Sequence, residues 1–431
     1  MNREKKLRIS QCMIVKNEEQ KIERALSWGR DVIWERVVVD TGSTDRTVEL
    51  AEKWGAKVYH FPWIDDFAAA RNYALDQAQG DWILTLDADE YPAPGTADKL
   101  LPVLAQAEEK RCDGIFGEIM ELDEKEQITI CGSRIRLYRN TKEIRYRRRI
   151  HEQLVRADGR EMRLADAGRD VVFFHDGYAE EAYAQKQRSQ RNLRLLEREL
   201  ADHPEDYEVM GYLGDEYQSF GETEQAAEWY RRSVDGMPER LAGSDPRSAH
   251  TFWSLISIYL SGGEEQKAEA VYRQAVRLLP EEADFDYQMG CHCVSAGRWK
   301  EGLAYLAQGL GKLERYKTAN SSMKISADLE NVYGNLALCY LRCGQLQQAV
   351  QTSVALLKVK PYDMKVLYIL LAAFYQDGGE RADGQEYVRG IAGFLEKLYC
   401  LSSQRDRLFI ARAAREAGWD TLERQIKEGQ I

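Results

Sequence analysis

The pattern of hydrophobic and polar residues changes character partway along the chain. In the first part, short apolar runs at 9–15, 36–40, 57–59 and 82–86 predict strands. Between these runs, apolar residues spaced three or four positions apart predict helices. This β-α-β-α-β-α-β order predicts a mostly parallel sheet with right-handed crossovers. Thr44 or Asp45 is the expected N-cap of the second helix, and Asp66 is that of the third.

From about residue 180 onward the pattern is helical. A long charged helix is predicted over 180–204. After it, a small residue, an aromatic, a glycine turn, an alanine, a tyrosine and a closing proline recur in that order. This order resembles the tetratricopeptide repeat, whose period is about 34 residues. The predicted parts are an α/β domain at 1–179, a linking helix at 180–204, repeats at 205–393 and capping helices at 394–431. A generic helical bundle is the alternative for the repeats.

Polar side chains follow three of the predicted parallel strands where each strand ends. Asn17 and Glu18 follow the first strand, Asp40 ends the second, and Asp87 and Asp89 follow the fourth. The carboxyl ends of parallel strands meet at one edge of a sheet, where open α/β sheets bind their ligands. In an extended chain Asp87 and Asp89 point to the same side, and two such carboxylates repel each other unless a cation lies between them. Oxygen ligands suit Mg²⁺ or Mn²⁺ shared with substrate phosphates. The pattern therefore predicts a metal–diphosphate site, and a solvated acidic turn is the alternative.

Two further strands, at 112–122 and 133–138, predict an antiparallel extension of the sheet. A basic cluster lies within and after them, and it either grips a diphosphate or an acidic acceptor or forms a solvated strand face. Its members are Arg134, Arg136, Arg139, Arg145, Arg147, Arg148 and Arg149, with Tyr146 among them.

Composition narrows the class of protein. The chain has 431 residues, of which 44% are hydrophobic and 30% charged, and its net charge is −11. The negative charge argues against nucleic acid or an anionic membrane as a general partner. No apolar run approaches the roughly 18 residues of a membrane helix, and the charged start predicts no signal peptide. The eight cysteines have no zinc-finger spacing, so we expect reduced, buried thiols in a cytoplasmic protein.

Four short motifs in sequence order resemble the family-2, GT-A fold glycosyltransferases. They are Val15-Lys16-Asn17-Glu18-Glu19, Val39-Asp40-Thr41-Gly42-Ser43-Thr44-Asp45, Ala70-Arg71-Asn72 and Asp87-Ala88-Asp89. The resemblance covers about the first 90 residues. It implies a Rossmann-like GT-A domain, a nucleotide-sugar donor that is usually UDP-linked, and inversion at the anomeric carbon.

The resemblance also implies roles for individual residues. Val15, Asn17 and Glu18 would lie in the loop that admits the nucleotide, and Asp40, with Ser43 beside it, would accept a hydrogen bond from the base. The remaining residues implied to bind the donor are Arg71 at the ribose or diphosphate, Asp87 on the ribose and metal side, and Ala88. Asp89 would ligate the metal. The alternative for each is structural, with Asp40 and Asp45 capping a turn and Arg71 on a helix surface.

Two later motifs complete the expected site. An inverting transferase needs a general base for its acceptor, and Glu152 fits this role. Family members carry a Glu-Asp pair here, whereas this chain has His151-Glu152, which leaves open which of the two takes the proton. His175, within 173–178, would complete the metal shell.

The combination of this domain with repeats resembles the sublancin-type peptide S-glycosyltransferases of bacteria. That resemblance implies a UDP-hexose donor, Mn²⁺ or Mg²⁺, a peptide or protein acceptor through a thiol or hydroxyl, and a homodimer formed through the repeats. The alternatives are a glycosyltransferase that builds surface glycans and a non-catalytic repeat scaffold.

Overall fold

We describe a computed structural model of the chain over residues 7–123, 125–176, 182–241, 245–316 and 323–429. The predicted motif residues Gly177 and Tyr178 and the boundary at 179 lie outside these ranges. The chain forms two compact units, Met1–Glu205 and Asp206–Ile431. The first is an α/β unit and the second is helical, which confirms the predicted fold class.

The first unit is built on a mixed sheet. Its strands and helices alternate as predicted up to β4, after which antiparallel strands follow. The strands are β1 Ile9–Val15, β2 Ile33–Asp40, β3 Lys57–His60, β4 Trp82–Thr85, β5 Glu90–Pro92, β6 Gly114–Leu122, β7 Ile128–Arg139, β8 Ile144–Arg147, β9 Gln153–Arg156, β10 Leu164–Asp166 and β11 Val172–His175. The helices are α1 Ile22–Leu26, α2 Thr47–Lys53, α3 Phe67–Gln77, α4 Thr96–Glu109 and α5 Ala182–Asp202.

Strand register brings the predicted strand ends to one edge. The main sheet has the order β3-β2-β1-β4-β7-β6-β11-β5, with β10 beside β6. Strands β1 to β4 run parallel, and Val15 at the end of β1 lies opposite Asp40 at the end of β2. Strand β7 runs antiparallel to both β4 and β6, which confirms the predicted extension. The fully buried Trp82 and Leu84 of β4 lie in the core of this unit.

The sequence predicts the N-cap of α3 correctly and the N-cap of α2 incorrectly. Asp66 caps α3 as predicted, accepting the Ala69 N–H at 2.8 Å. The predicted cap of α2 is wrong, because that helix begins at Thr47 after Arg46 and has no side-chain cap bond. Asp45 instead accepts the Thr47 N–H at 3.0 Å, so its carboxylate closes the preceding turn.

The second unit consists of consecutive helices joined by short turns. They are α6 Tyr207–Ser219, α7 Thr223–Gly236, α8 Pro246–Ser261, α9 Glu265–Leu278, α10 Asp284–Ser295, α11 Trp299–Tyr316, α12 Met323–Ala327, α13 Leu329–Arg342, α14 Leu346–Val359, α15 Met364–Gly378, α16 Gln385–Leu395, α17 Gln404–Glu416 and α18 Asp420–Glu428. Successive helix pairs reuse one turn, in which a glycine adopts a positive φ, at Gly221, Gly263, Gly297, Gly344 and Gly418. This recurring turn is the one that the repeat pattern predicts.

In the described part of the chain, no helix is long and apolar enough to cross a membrane. All eight cysteines are free, as expected. The expectation that they are buried is wrong for Cys131 and Cys400, which are exposed. Cys131 lies on β7, in a stretch where most side chains face solvent.

Gly214 occupies the small-residue position of the first repeat, and the steric need for a glycine there can be tested. A Cβ at Gly214 would lie 2.5 Å from the ring of Tyr230 on the paired helix. Overpacking of this kind costs about 1–3 kcal/mol, which exceeds the roughly 0.5–1 kcal/mol that alanine gains over glycine inside a helix. We therefore expect Gly214→Ala to lower the free energy of unfolding, measured by chemical denaturation. Gly334→Ala is the matched control, because no atom lies within 4 Å of its added Cβ, and it should not destabilise the protein. Equal effects of the two changes would contradict the steric account.

Candidate donor-binding and catalytic site

The loops after β1 and β2 are held together by reciprocal hydrogen bonds. The Thr41 N–H donates to the Val15 carbonyl at 2.9 Å, and the Asn17 N–H donates to Ser43 Oγ at 2.9 Å. In return, Asn17 Oδ1 accepts the Thr44 N–H at 2.8 Å. Asn17 has a φ of 57°, in the left-handed region that asparagine tolerates better than most residues. The structure therefore brings Val15, Asn17 and Ser43 together as one rigid strand-end loop pair.

Asp40 lies at the base of this loop pair and is 4% exposed. Its carboxylate accepts the N–H groups of Ser43 at 3.0 Å and Gly42 at 3.2 Å and lies 3.3 Å from His60 Nδ1. Burial alone would raise the pKa of Asp40, but the hydrogen bonds from Ser43, His60 and Gly42 outweigh it and lower the pKa. Asp40 thus stays ionised and shapes the loop. A carboxylate has about four acceptor positions, and the backbone and side chain of Ser43, the Gly42 N–H and His60 all face this one.

Arg71 joins two carboxylates that are distant in sequence. It lies on α3, with its side chain 11% exposed. Its Nε donates to Glu152 Oε1 at 2.5 Å, and its Nη2 donates to Asp87 Oδ1 at 2.9 Å. Its Nη1 is buried and makes no hydrogen bond in the described protein. That nitrogen is a donor available to a bound anion, since buried polar groups are normally hydrogen-bonded.

The Asp87-Ala88-Asp89 segment is a turn and not the extended chain that the sequence suggested. Ala88 and Asp89 lie in the turn, and the Glu90 N–H closes it on the Asp87 carbonyl at 3.0 Å. The two carboxylates consequently have different cationic partners. Asp87 binds Arg71, while Asp89 Oδ2 lies 3.8 Å from Lys21 Nζ and 3.5 Å from His175 Nε2.

The charge of Asp87 is fixed by its surroundings. Burial would raise the pKa of its carboxyl, but the positive charges of Arg71 and Arg136 outweigh burial and lower the pKa to about 2. Asp87 is therefore a carboxylate at any physiological pH.

Glu90 and Arg136 lie beneath the turn, and the sequence analysis missed the role of Glu90. Glu90 is 3% exposed and forms an ion pair with Arg136. Its other carboxylate oxygen accepts the Asp87 N–H at 3.1 Å. Strands β5 and β11 pair antiparallel with Glu90 opposite His175, which places His175 beside the turn. A third acid directly after Asp89 was the signal that could have identified Glu90.

The structure brings two of the three predicted metal ligands together. Within the described residues, no group of three or more His, Cys, Asp and Glu side chains is arranged to hold a metal ion. The structure brings Asp89 and His175 together and directs Asp87 toward Arg71. A Mg²⁺ or Mn²⁺ ion commonly takes one or two protein ligands together with substrate phosphates, and the oxygen and nitrogen donors of Asp89 and His175 fit this mode.

The attraction between Asp89 and His175 changes the pKa of the histidine. Burial would lower the pKa of His175, but the hydrogen bond and charge of Asp89 outweigh burial and raise the pKa.

His151 and Glu152 lie on a loop with unusual backbone geometry. Arg148 has a φ of 73° and His151 a φ of 51°. Non-glycine residues in the left-handed region cost about 1–3 kcal/mol each and persist only where the surrounding structure holds them. Arg71 holds Glu152 within the site. The structure therefore groups Glu152 with Arg71 and Asp87, next to the Asp89–His175 pair.

The basic cluster predicted from the sequence is not a single surface. Four of its arginines pair with carboxylates of their own domain: Arg136 with Glu90, Arg139 with Glu108, Arg145 with Asp76 and Arg149 with Asp202. These four arginines are therefore engaged in ion pairs within the first unit, and contact of the cluster with a diphosphate or an acidic acceptor stays a prediction.

The sheet edge, the strand-end acids and the motifs define the class of this domain. The profile of Glycosyl transferase family 2 matches residues 10–165. This match covers the N-terminal part of the chain and agrees with the family that the motifs predicted.

Three curated proteins illustrate the similarity. A "TPR repeat-containing protein" of Synechococcus elongatus is 37% identical over 238 residues, which cover 54% of this chain and 58% of that protein. An "uncharacterized glycosyltransferase" of Rickettsia bellii is 38% identical over 104 residues, covering 24% and 35%. "SPbeta prophage-derived glycosyltransferase SunS" of Bacillus subtilis is 24% identical over 227 residues, covering 52% of each chain. The chain thus spans about a third to three fifths of the length of these relatives.

The buried pair beneath the turn gives a testable prediction. Glu90→Ala leaves the Arg136 charge buried without its partner, which costs about 3–5 kcal/mol of stability. Replacing both charges, as in Glu90→Leu with Arg136→Leu, should recover part of that loss, because no unpaired charge of this pair remains although the Asp87 N–H still lacks its acceptor. Chemical denaturation of the single and double variants measures this. A double variant as unstable as Glu90→Ala would show that the ion pair is not the cause.

Proposed function

We propose that this protein transfers a hexose from a UDP-sugar to an acceptor with inversion at the anomeric carbon. The observation that carries the proposal is the convergence of Asp40, Arg71, Asp87 and Asp89 at one sheet edge of a family 2 glycosyltransferase domain. Asp40 would accept a hydrogen bond from the uracil N3–H, since its carboxylate is ionised and lies at the end of β2. The unpaired Arg71 Nη1 would donate to the ribose or the diphosphate.

Asp89 and His175 would hold Mn²⁺ or Mg²⁺ in this proposal. Such an ion supplies Lewis-acid stabilisation of the charge that develops on the departing UDP. The chain's own contribution is to orient this pair, because the Glu90 carboxylate holds the Asp87 N–H and β5 sets His175 opposite Glu90. Lys21, 3.8 Å from Asp89, would lie beside the diphosphate and add a positive charge there.

Glu152 is the proposed general base, with His151 as the alternative. Arg71 orients the Glu152 carboxylate through one oxygen, Oε1. The other oxygen, Oε2, is the one that would take the proton from an acceptor thiol or hydroxyl. A thiol needs little assistance, because its unperturbed pKa is about 8.5.

We propose that the acceptor is a peptide or a protein. The helical unit contains a cavity of about 650 Å³, lined mainly by α8 residues such as His250, Trp253 and Ser257. A cavity of this size with mixed aromatic and polar walls is suitable for a peptide side chain. Homodimerisation through the repeats and a cytoplasmic location stay predictions from the sequence.

The donor and metal assignments are tested together. UDP release from UDP-glucose, UDP-N-acetylglucosamine, UDP-galactose and, as a nucleotide control, GDP release from GDP-mannose are measured with and without Mn²⁺. We expect Mn²⁺-dependent release from one UDP-sugar. Asp89→Ala should weaken UDP binding in Mn²⁺ at least tenfold by calorimetry and leave binding without metal unchanged. Wild-type UDP affinity of Asp89→Ala in Mn²⁺ would contradict the metal assignment.

The choice of base is tested by two single variants. General-base catalysis contributes about 10²–10⁴-fold, so Glu152→Gln should slow UDP-sugar turnover at least a hundredfold. His151→Ala should slow it less than tenfold if Glu152 is the base. The opposite order of effects would assign the role to His151.

A further inference from the structure

Helix α5, predicted as a linker, makes specific contacts with the loop that carries His151 and Glu152. The carboxylate of Glu199 accepts the backbone N–H of Arg149 at 2.9 Å. Glu199 is 5% exposed, so this bond is shielded from water. The Arg149 side chain also donates to Asp202, one turn further along the helix, at 2.7 Å.

The same loop is held from its other side by α3. The Phe67 N–H, at the start of α3, donates to the Arg149 carbonyl at 2.9 Å. Arg71, one turn later on α3, binds Glu152. Both polar groups of the Arg149 peptide backbone are thus anchored, the N–H by α5 and the carbonyl by α3.

Backbone strain shows why such anchoring is needed. Arg148 and His151, on either side of this anchored segment, both have positive φ. An unanchored loop would relax from these conformations, because they cost about 1–3 kcal/mol each. Buried anchors from two helices hold the segment in a conformation that its own residues disfavour.

Side chains of α5 also pair with the segment that leads into α3. Leu195 and Leu196 are fully buried. On its neighbouring face, Arg194 and Arg198 both pair with Asp65, at 2.8 and 2.7 Å. Asp65 lies in the loop that leads into α3, so α5 contacts both segments that meet at Glu152.

We propose that Glu199 is a positioning residue for the glycosyl transfer: through the Arg149 N–H it holds the His151–Glu152 loop in its reactive conformation. This inference rests on the proposed function, in which Glu152 or His151 is the base. Among the described residues, the polar contacts of the Glu199 side chain are with Arg149 and His203 and not with the proposed donor-binding residues, so it should affect turnover and not donor affinity.

The test compares two substitutions of similar volume. Glu199→Gln keeps an acceptor oxygen for the Arg149 N–H, whereas Glu199→Met fills the same space without an acceptor. Glu197→Met is the control for helix α5, because Glu197 is exposed on the same helix. Thermal unfolding confirms that each variant is folded.

Hydrogen exchange tests the anchor directly. In Glu199→Met, the Arg149 amide should exchange at least tenfold faster than in the wild type, and in Glu199→Gln and Glu197→Met it should exchange at the wild-type rate. Unchanged exchange in folded Glu199→Met would overturn the proposal. This readout does not depend on activity, so it decides the anchor even if the wild type releases no UDP and the proposed function fails.

Turnover tests the positioning role. The probes are UDP-glucose and UDP-N-acetylglucosamine in Mn²⁺, with water as acceptor, together with calorimetric binding of UDP. Glu199→Met should lower kcat at least tenfold with UDP affinity within twofold of the wild type, and Glu199→Gln should restore kcat to within threefold. A kcat for Glu199→Met within threefold of the wild type, or an equal loss of UDP affinity and kcat, would overturn the proposal.

Discussion

A single guanidinium group organises the candidate site. Arg71 is nearly buried and binds carboxylates 16 and 81 residues away along the chain. A buried cation is tolerated only where anions surround it, since an uncompensated charge costs several kcal/mol. The fold must therefore bring the end of β4 and the loop before β9 to the same place on α3. The acid at the end of β4 and the loop that carries Glu152 are thereby linked through one charge.

The framework of the first unit could be predicted because its signals are local. Apolar runs and helical spacing identify β1 to β4 and the helices between them, and parallel pairing then requires that Asn17, Asp40 and Asp87 meet at one edge. The cap at Asp66 was likewise readable, because an aspartate directly precedes a strong helix-forming sequence. These features depend on residues close together in sequence.

The parts that could not be predicted depend on contacts between distant segments. Glu90 gains its role only when β7 brings Arg136 beneath the turn, 46 residues away. The Glu90 carboxylate accepts the Asp87 N–H, and Ala88 and Asp89 form a turn in place of the expected extended chain. Similarly, the arginines of β7 and β8 looked like a shared basic surface, yet Arg136, Arg139 and Arg145 pair with acids that lie elsewhere in the sequence. The repeat half was easier, since each glycine turn and each small–aromatic contact, such as Gly214 with Tyr230, joins neighbouring helices.

The attachment of α5 also determines where this protein can be divided. A chain cut at the end of the predicted α/β domain would lose Glu199 and the two arginines that pair with Asp65, although every recognised motif would be present. The first compact unit, which ends at Glu205, includes this helix. In evolutionary terms, recombination that exchanges the helical half with another repeat array would preserve the site only if the junction falls after this helix.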